Sequence, residues 1–177
     1  MTSCLPLSII STVYDAVYAA MNPDYEAEDY EFSFGKLTLT LTSEFYEIWR
    51  DEQTAQYQST SGTLAYIDKY EFMYSDFDSS NDLVEQANDV RDRIISENDG
   101  DESVKNVTEV VTENGLVYFT YDYSLIATDR YFVSVYKDSE NLWVLYFVCG
   151  ESSYDLYLPY FKKWAGSVTV DASGSVI

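Results

Sequence analysis

No histidine occurs anywhere in the 177 residues. That absence removes Ser–His–Asp and Cys–His catalytic machinery, the usual zinc sites and the commonest general base. Cysteine is nearly as scarce: Cys4 and Cys149 are the only two. Cys149 falls in an apolar run and reads as a small buried hydrophobe rather than a reactive thiol. A Cys4–Cys149 disulfide is left open by the sequence. Basic side chains are few, 10 against 31 acids, for a net charge of −21. Each phosphate contact needs Lys or Arg, so direct nucleic-acid binding is not expected, and anionic membrane surfaces are disfavoured for the same reason. Gly35-Lys36 lacks the upstream glycine and the following Ser or Thr of a phosphate-cradling loop. A solvated acidic surface is the plain explanation of the charge, and a positively charged partner is the alternative.

What the chain does have is apolar and aromatic content, 46% and 17% of its residues, which fits one folded domain with a sizeable core. Four consecutive strands are expected at residues 105–113, 116–125, 130–137 and 141–149. Asn114-Gly115 joins the first two, at positions of a type I′ turn that need φ > 0. In the last strand Trp143, Leu145, Phe147 and Cys149 alternate with Val144, Tyr146 and Val148. A strand apolar on both faces belongs in the middle of a sheet covered on both sides.

Residues 4–21 are small or apolar, with Asp15 the only charge. Ile10, Val13, Tyr14, Val17, Tyr18 and Met21 have helical spacing, so a short helix is expected there. No basic residue precedes it as in a signal peptide, and it is short for a membrane span. An acidic linker follows to residue 27. A hairpin is expected at residues 30–34 and 37–42 with Gly35-Lys36 as its turn, then a short helix at 44–49 capped by Ser43, a polar loop at 53–62 and a strand at 63–72. The strongest helix signal spans 82–97: Asp82 and Glu85 have capping-box spacing, and Leu83, Ala87, Val90 and Ile94 share one face. A second helix is expected at 152–166, with Pro159 either starting it afresh or kinking it, followed by a terminal strand at 168–170 and a frayed tail at 171–177.

The order is hairpin, strand, helix, four-strand meander, helix: an α+β chain in which helices cover both faces of a mainly antiparallel sheet. This order resembles the PsbP-like α/β/α sandwich. So do the Tyr30-x-Phe32-x-Phe34-Gly35 start, the helical turn expected after the hairpin, the single amphipathic helix before Asn114-Gly115, and the Phe161…Trp164-Ala-x-Ser167-Val168 close. The resemblance covers about residues 28–170, with 1–27 outside it. That class includes an extrinsic subunit of a photosynthetic complex, a Ran-GTPase-binding factor and many bacterial secreted or surface-anchored domains. It implies a docking or binding module and supplies no catalytic residue to carry over.

Ser33-Phe34-Gly35-Lys36 matches the Ser-x-x-Lys pattern of some acyl-transfer enzymes, but falls on a tight turn and lacks the partner motifs. Asp76, Asp78, Ser79, Ser80, Asn81 and Asp82 cluster oxygen ligands, yet a calcium loop would want Gly and Glu where Asn81 and Ala87 stand. A turn leading into the helix explains them. Tyr118, Tyr121, Tyr123, Tyr131, Tyr136 and Tyr146 lie on both faces of the meander and are expected to be half-buried with hydroxyls reaching solvent. An exposed subset of them would suit a protein or carbohydrate contact. The expectation is therefore a non-enzymatic binding or scaffolding module, extracytoplasmic and bacterial, with no cofactor, no metal, no assigned site residue and no membrane insertion. Cytoplasmic residence and oligomeric state are left open. The alternative is an acidic nucleic-acid mimic that inhibits a DNA-binding enzyme; a carboxylate-pair hydrolase is a third, weaker option.

Overall fold

The computed structural model describes residues 28–98 and 102–171. In chain order the elements are β1 (Asp29–Phe34), β2 (Leu37–Thr42), β3 (Phe45–Arg50), β4 (Thr54–Ser59), β5 (Leu64–Glu71), α1 (Leu83–Glu97), β6 (Val104–Lys105), β7 (Val111–Glu113), β8 (Leu116–Ser124), β9 (Thr128–Lys137), β10 (Asn141–Gly150), α2 (Tyr154–Gly166) and β11 (Thr169–Val170). A large antiparallel sheet runs β3-β4-β5-β10-β9-β8, with β6 and β7 both paired to the outer side of β8. The short helix expected within residues 4–21, the Cys4–Cys149 pairing and the frayed tail from residue 172 lie outside the described residues.

β10 is central, as its two apolar faces require. Trp143, Leu145, Phe147 and Cys149 point into one core with Phe132, Phe161 and Trp164, while Leu142 and Val144 point into a second with Ala87, Val90 and Phe119. α1 therefore covers one face, over β8 and β9, and α2 the other. β1, β2 and β11 form a small separate sheet. Its Phe34, Leu37, Leu39 and Leu41 share the α2-side core. The layers are thus helix, large sheet, then helix plus small sheet, consistent with an α/β/α sandwich.

Local chemistry explains most boundaries. Gly35, Asn114 and Gly115 have φ of 61°, 52° and 84° at the two hairpin turns, the region that Gly and Asn tolerate. The Asp82 side chain accepts hydrogen bonds from the N–H groups of Val84 and Glu85, and Glu85 returns one from the Asp82 N–H, a complete capping box. Pro159 lies inside α2, which begins after a 3₁₀ turn at Glu151–Ser153.

Three expectations fail. Residues 45–50 are a strand, not a helix, and 54–59 are a strand, not loop. Phe45, Ile48 and Trp49 imitate a helical stripe because β3 is an outermost strand, exposed after Phe45, with a register shift between Glu47 and Trp49 that breaks the alternation. In β4 the inward set is Ala55, Tyr57 and Ser59, small or polar enough to disguise a regular buried–half-buried pattern. The strand expected at 105–113 is also divided, Asn106 taking φ 52° between β6 and β7.

Candidate functional site

The residues singled out in the sequence are mostly committed to structure. Ser33 Oγ lies 3.3 Å from Thr38 Oγ1. Lys36 Nζ instead donates to Asp138 Oδ2 at 3.0 Å and Glu140 Oε2 at 2.8 Å. The Ser-x-x-Lys match is therefore a hairpin turn clamped to the β9–β10 turn. Asp78 Oδ1 accepts from the Ser80 N–H at 2.8 Å and its hydroxyl at 2.7 Å, closing an Asx-type turn, and Asp82 caps α1. Among the described residues no group of three or more His, Cys, Asp or Glu side chains is placed to hold a metal ion. Cys149 is buried, and burial pushes its thiol up to about 12, so it is a protonated core residue.

The tyrosines divide by face. Tyr118 and Tyr136 belong to the α2 side: Tyr118 stacks on Phe132 at 4.7 Å and donates to Glu113, and the Tyr136 hydroxyl donates to the Ala165 carbonyl at 2.7 Å. Tyr121, Tyr123, Tyr131 and Tyr146 lie on the α1 side, joined there by Tyr66 and Tyr70 of β5. Because α1 sits over β8 and β9, it leaves open the part of this face carried by β4, β5 and the adjoining ends of β10 and β9. Register builds the open part row by row. Gln56, Tyr66 and Tyr146 are successive cross-strand neighbours; Gln58, Leu64, Val148, Tyr131 and Tyr121 form the next row, in which Val148 and Tyr121 are already buried. Tyr121 and Tyr131 stack with centroids 4.5 Å apart. Burial drives the Tyr121 phenol well above its ordinary range and the Tyr131 phenol up to about 12. Both are neutral at physiological pH. They supply ring faces and hydroxyls, not a base.

A carboxylate stands at each end of the array. Asp68, between Tyr66 and Tyr70 on the half-buried alternating set of β5, accepts from Thr54 Oγ1 at 3.0 Å. It opens into a hollow of ≈ 620 Å³ lined also by Glu52, Lys69, Tyr70, Glu71 and Tyr74. Asp129 faces Tyr123 across β8–β9. Burial raises the pKa of both acids. Beyond Asp129 the β8–β9 hairpin ends in Leu125 and Ile126, two large apolar side chains 76% and 101% exposed. Asp68, Asp129, Tyr66 and Tyr70 were not picked out from sequence. The signal was there in β5, where a lone acid interrupts the alternating set Leu64, Tyr66, Tyr70.

The cyanobacterial PsbP protein CyanoP from Synechocystis superposes with a TM-score of 0.56 at 16% identity, over 81% of this chain and 92% of that one. The fold is PsbP-like. A point mutant of the protein Mog1 matches at a TM-score of 0.59 and 12% identity, over 82% of this chain and 96% of its own. A Bacteroides thetaiotaomicron protein matches at 0.53 and 9%, over 86% of this chain and 52% of that one. No protein-family model and no curated protein matches by sequence. At these identities the PsbP-like likeness concerns architecture alone. What the open tyrosine face binds has to be read from its own side chains.

Proposed function

We propose that this protein is a non-enzymatic binding module that docks a partner on the open, tyrosine-rich part of its main sheet. One observation carries the proposal. A sheet otherwise covered on both sides keeps one aromatic stretch that the described residues leave uncovered, with Tyr66, Tyr131 and Tyr146 half-buried, and the exposed apolar tip Leu125-Ile126 beyond Asp129 on the same hairpin. Rigid aromatic side chains flanked by exposed apolar ones are the residues that concentrate binding energy at protein interfaces. The neutral phenols, the protonated Cys149 and the structural use of Ser33 and Lys36 favour recognition over catalysis. Residence outside the cytoplasm is part of the proposal and rests on the resemblance drawn from sequence.

Photo-crosslinking tests the face directly. A benzophenone amino acid placed at Tyr66 in cells making the protein is expected to trap a discrete adduct. The same group at Tyr160, which is exposed on α2, is expected to trap none. Equal adducts at both positions, or an adduct only at Tyr160, would remove the tyrosine face from consideration.

A further inference from the structure

We infer that the occupant of this face is an extended, positively charged segment of a partner protein, anchored by Asp68 at one end and Asp129 at the other. This rests on the docking role proposed above and specifies the chemistry of the partner. Its basis is a contrast within the molecule. Where the fold withdraws other carboxylates from water it provides a cation. Asp122, 2% exposed, receives Arg130 at 2.6 and 2.9 Å, and Asp138, 6% exposed, receives Lys36 at 3.0 Å. Asp68 and Asp129 are half-buried, Asp68 accepting from Thr54, and neither forms an ion pair with a described residue. Each has a cation next to it in sequence, but strand alternation turns that side chain the other way and a different carboxylate takes it, although Lys69 still borders the hollow into which Asp68 opens. Lys69 pairs with Glu71 at 3.2 Å, and Arg130 with Asp122. Both unmatched carboxylates are left facing the same open surface, where a cation brought from outside would offset the cost of their desolvation.

The surface between them suits the same ligand. Tyr66, Tyr131 and Tyr146 present rings, and Lys and Arg are attracted to such ring faces. The Tyr146 phenol lies close to Tyr70 and Asp68 and is kept neutral by burial. Gln56 and Gln58 add amides able to pair with peptide N–H and C=O groups. Along β10, Asp68 is level with Val144 and Asp129 with Gly150, and their strands β5 and β9 lie on either side of β10. At about 3.3 Å per residue and about 4.8 Å per strand, the two acids are about 22 Å apart, the length of about seven extended residues. A compact polyamine would not reach both while also using the amides.

The test titrates isotope-labelled protein with three ten-residue peptides in a Gly/Ser/Gln background, followed by NMR. One has Arg at its second and ninth positions, one has the two Arg adjacent, and one has Gln at both. The spaced peptide is expected to shift the resonances of Tyr66, Tyr131 and Tyr146. It should bind about tenfold more tightly than either other peptide, and lose that advantage in the Asp68→Asn/Asp129→Asn double variant. The melting temperature of that variant should be no lower than wild type, since it loses only unpaired charge, so lost binding would not reflect lost folding. If the uncharged peptide shifts the same tyrosines as strongly, or the double variant binds the spaced peptide undiminished, the cationic assignment is overturned while docking at the face stands. If no peptide shifts these tyrosines, the cationic assignment is overturned, and an adduct at Tyr66 would show whether docking there survives it.

Discussion

Carboxylates show most directly how single residues shape this protein, because the fold treats them in two opposite ways. Arg130 holds the Asp122 carboxyl below its ordinary range, helped by the Asn106 amide, and this outweighs the upward push of burial. A depressed folded pKa stabilises the fold above the unfolded value, and that contribution is lost as pH falls through the folded one. Asp122→Asn should therefore cost about 1–2 kcal/mol near pH 7, less than a fully buried pair because Arg130 keeps Glu151 and some water. The deficit should shrink below about pH 4. Asp68 has the opposite sign. Burial raises its folded pKa, so its protonated form favours folding at low pH, and that advantage disappears as pH rises through the folded value. Asp68→Asn should melt like wild type in acid and above it near neutrality. Urea melts of both variants at several pH values would show the two curves diverging in opposite directions. Parallel curves would mean that Asp68 finds a cation within the chain.

For the elements, legibility followed burial. β10, α1 and the two hairpin turns could be read from sequence because each has one environment per side chain: core against core, cap against backbone, glycine at positive φ. β3 could not, since an outermost strand with both faces in water has no reason to alternate, and its bulge shifts the phase of what remains. The candidate face was half legible. The meander tyrosines were visible, but which of them α1 leaves uncovered depends on where a helix from residues 83–97 comes to rest, and sequence periodicity contains no such information. The difference between a central and an outermost strand is measurable. Phe147 on β10 is fully buried and stacks on Phe161 at 5.1 Å, so Phe147→Ala should cost about 3–5 kcal/mol. Trp49 on β3 is 56% exposed, and Trp49→Ala should change stability by no more than about 0.5 kcal/mol. Similar losses for both in denaturant melts would contradict the strand order.

For the molecule as a whole, the question is what an excess of negative charge does to a fold with so few cations. Among the described residues, eight of the ten basic side chains sit in ion pairs. Several of the pairs join separate elements. Lys36 ties the β1–β2 turn to the β9–β10 turn, Lys162 ties α2 to β7, and Lys163 ties α2 to β1. The scarce cations thus act as clamps, and the remaining acids repel one another with little to balance them. Added salt weakens both effects, so its net sign shows which is larger. Exposed pairs are worth only about 0.2–1 kcal/mol each, and the Lys36–Asp138 pair is partly shielded from solvent and so less sensitive to salt. Repulsion acts among a charge excess of 21 and extends over about 10 Å at 0.1 M ionic strength. It should therefore dominate. Raising sodium chloride from roughly 20 to 500 mM should lift the melting temperature by about 2–4 °C, equivalent to about 1 kcal/mol for a chain of this size. Binding of a basic peptide at the tyrosine face should weaken over the same range, because there the charges attract. Salt that stabilises the fold while loosening the ligand would separate the acids that only repel from the two that bind. A melting temperature that falls with salt would show instead that the clamps, not the repulsion, govern the stability of the fold.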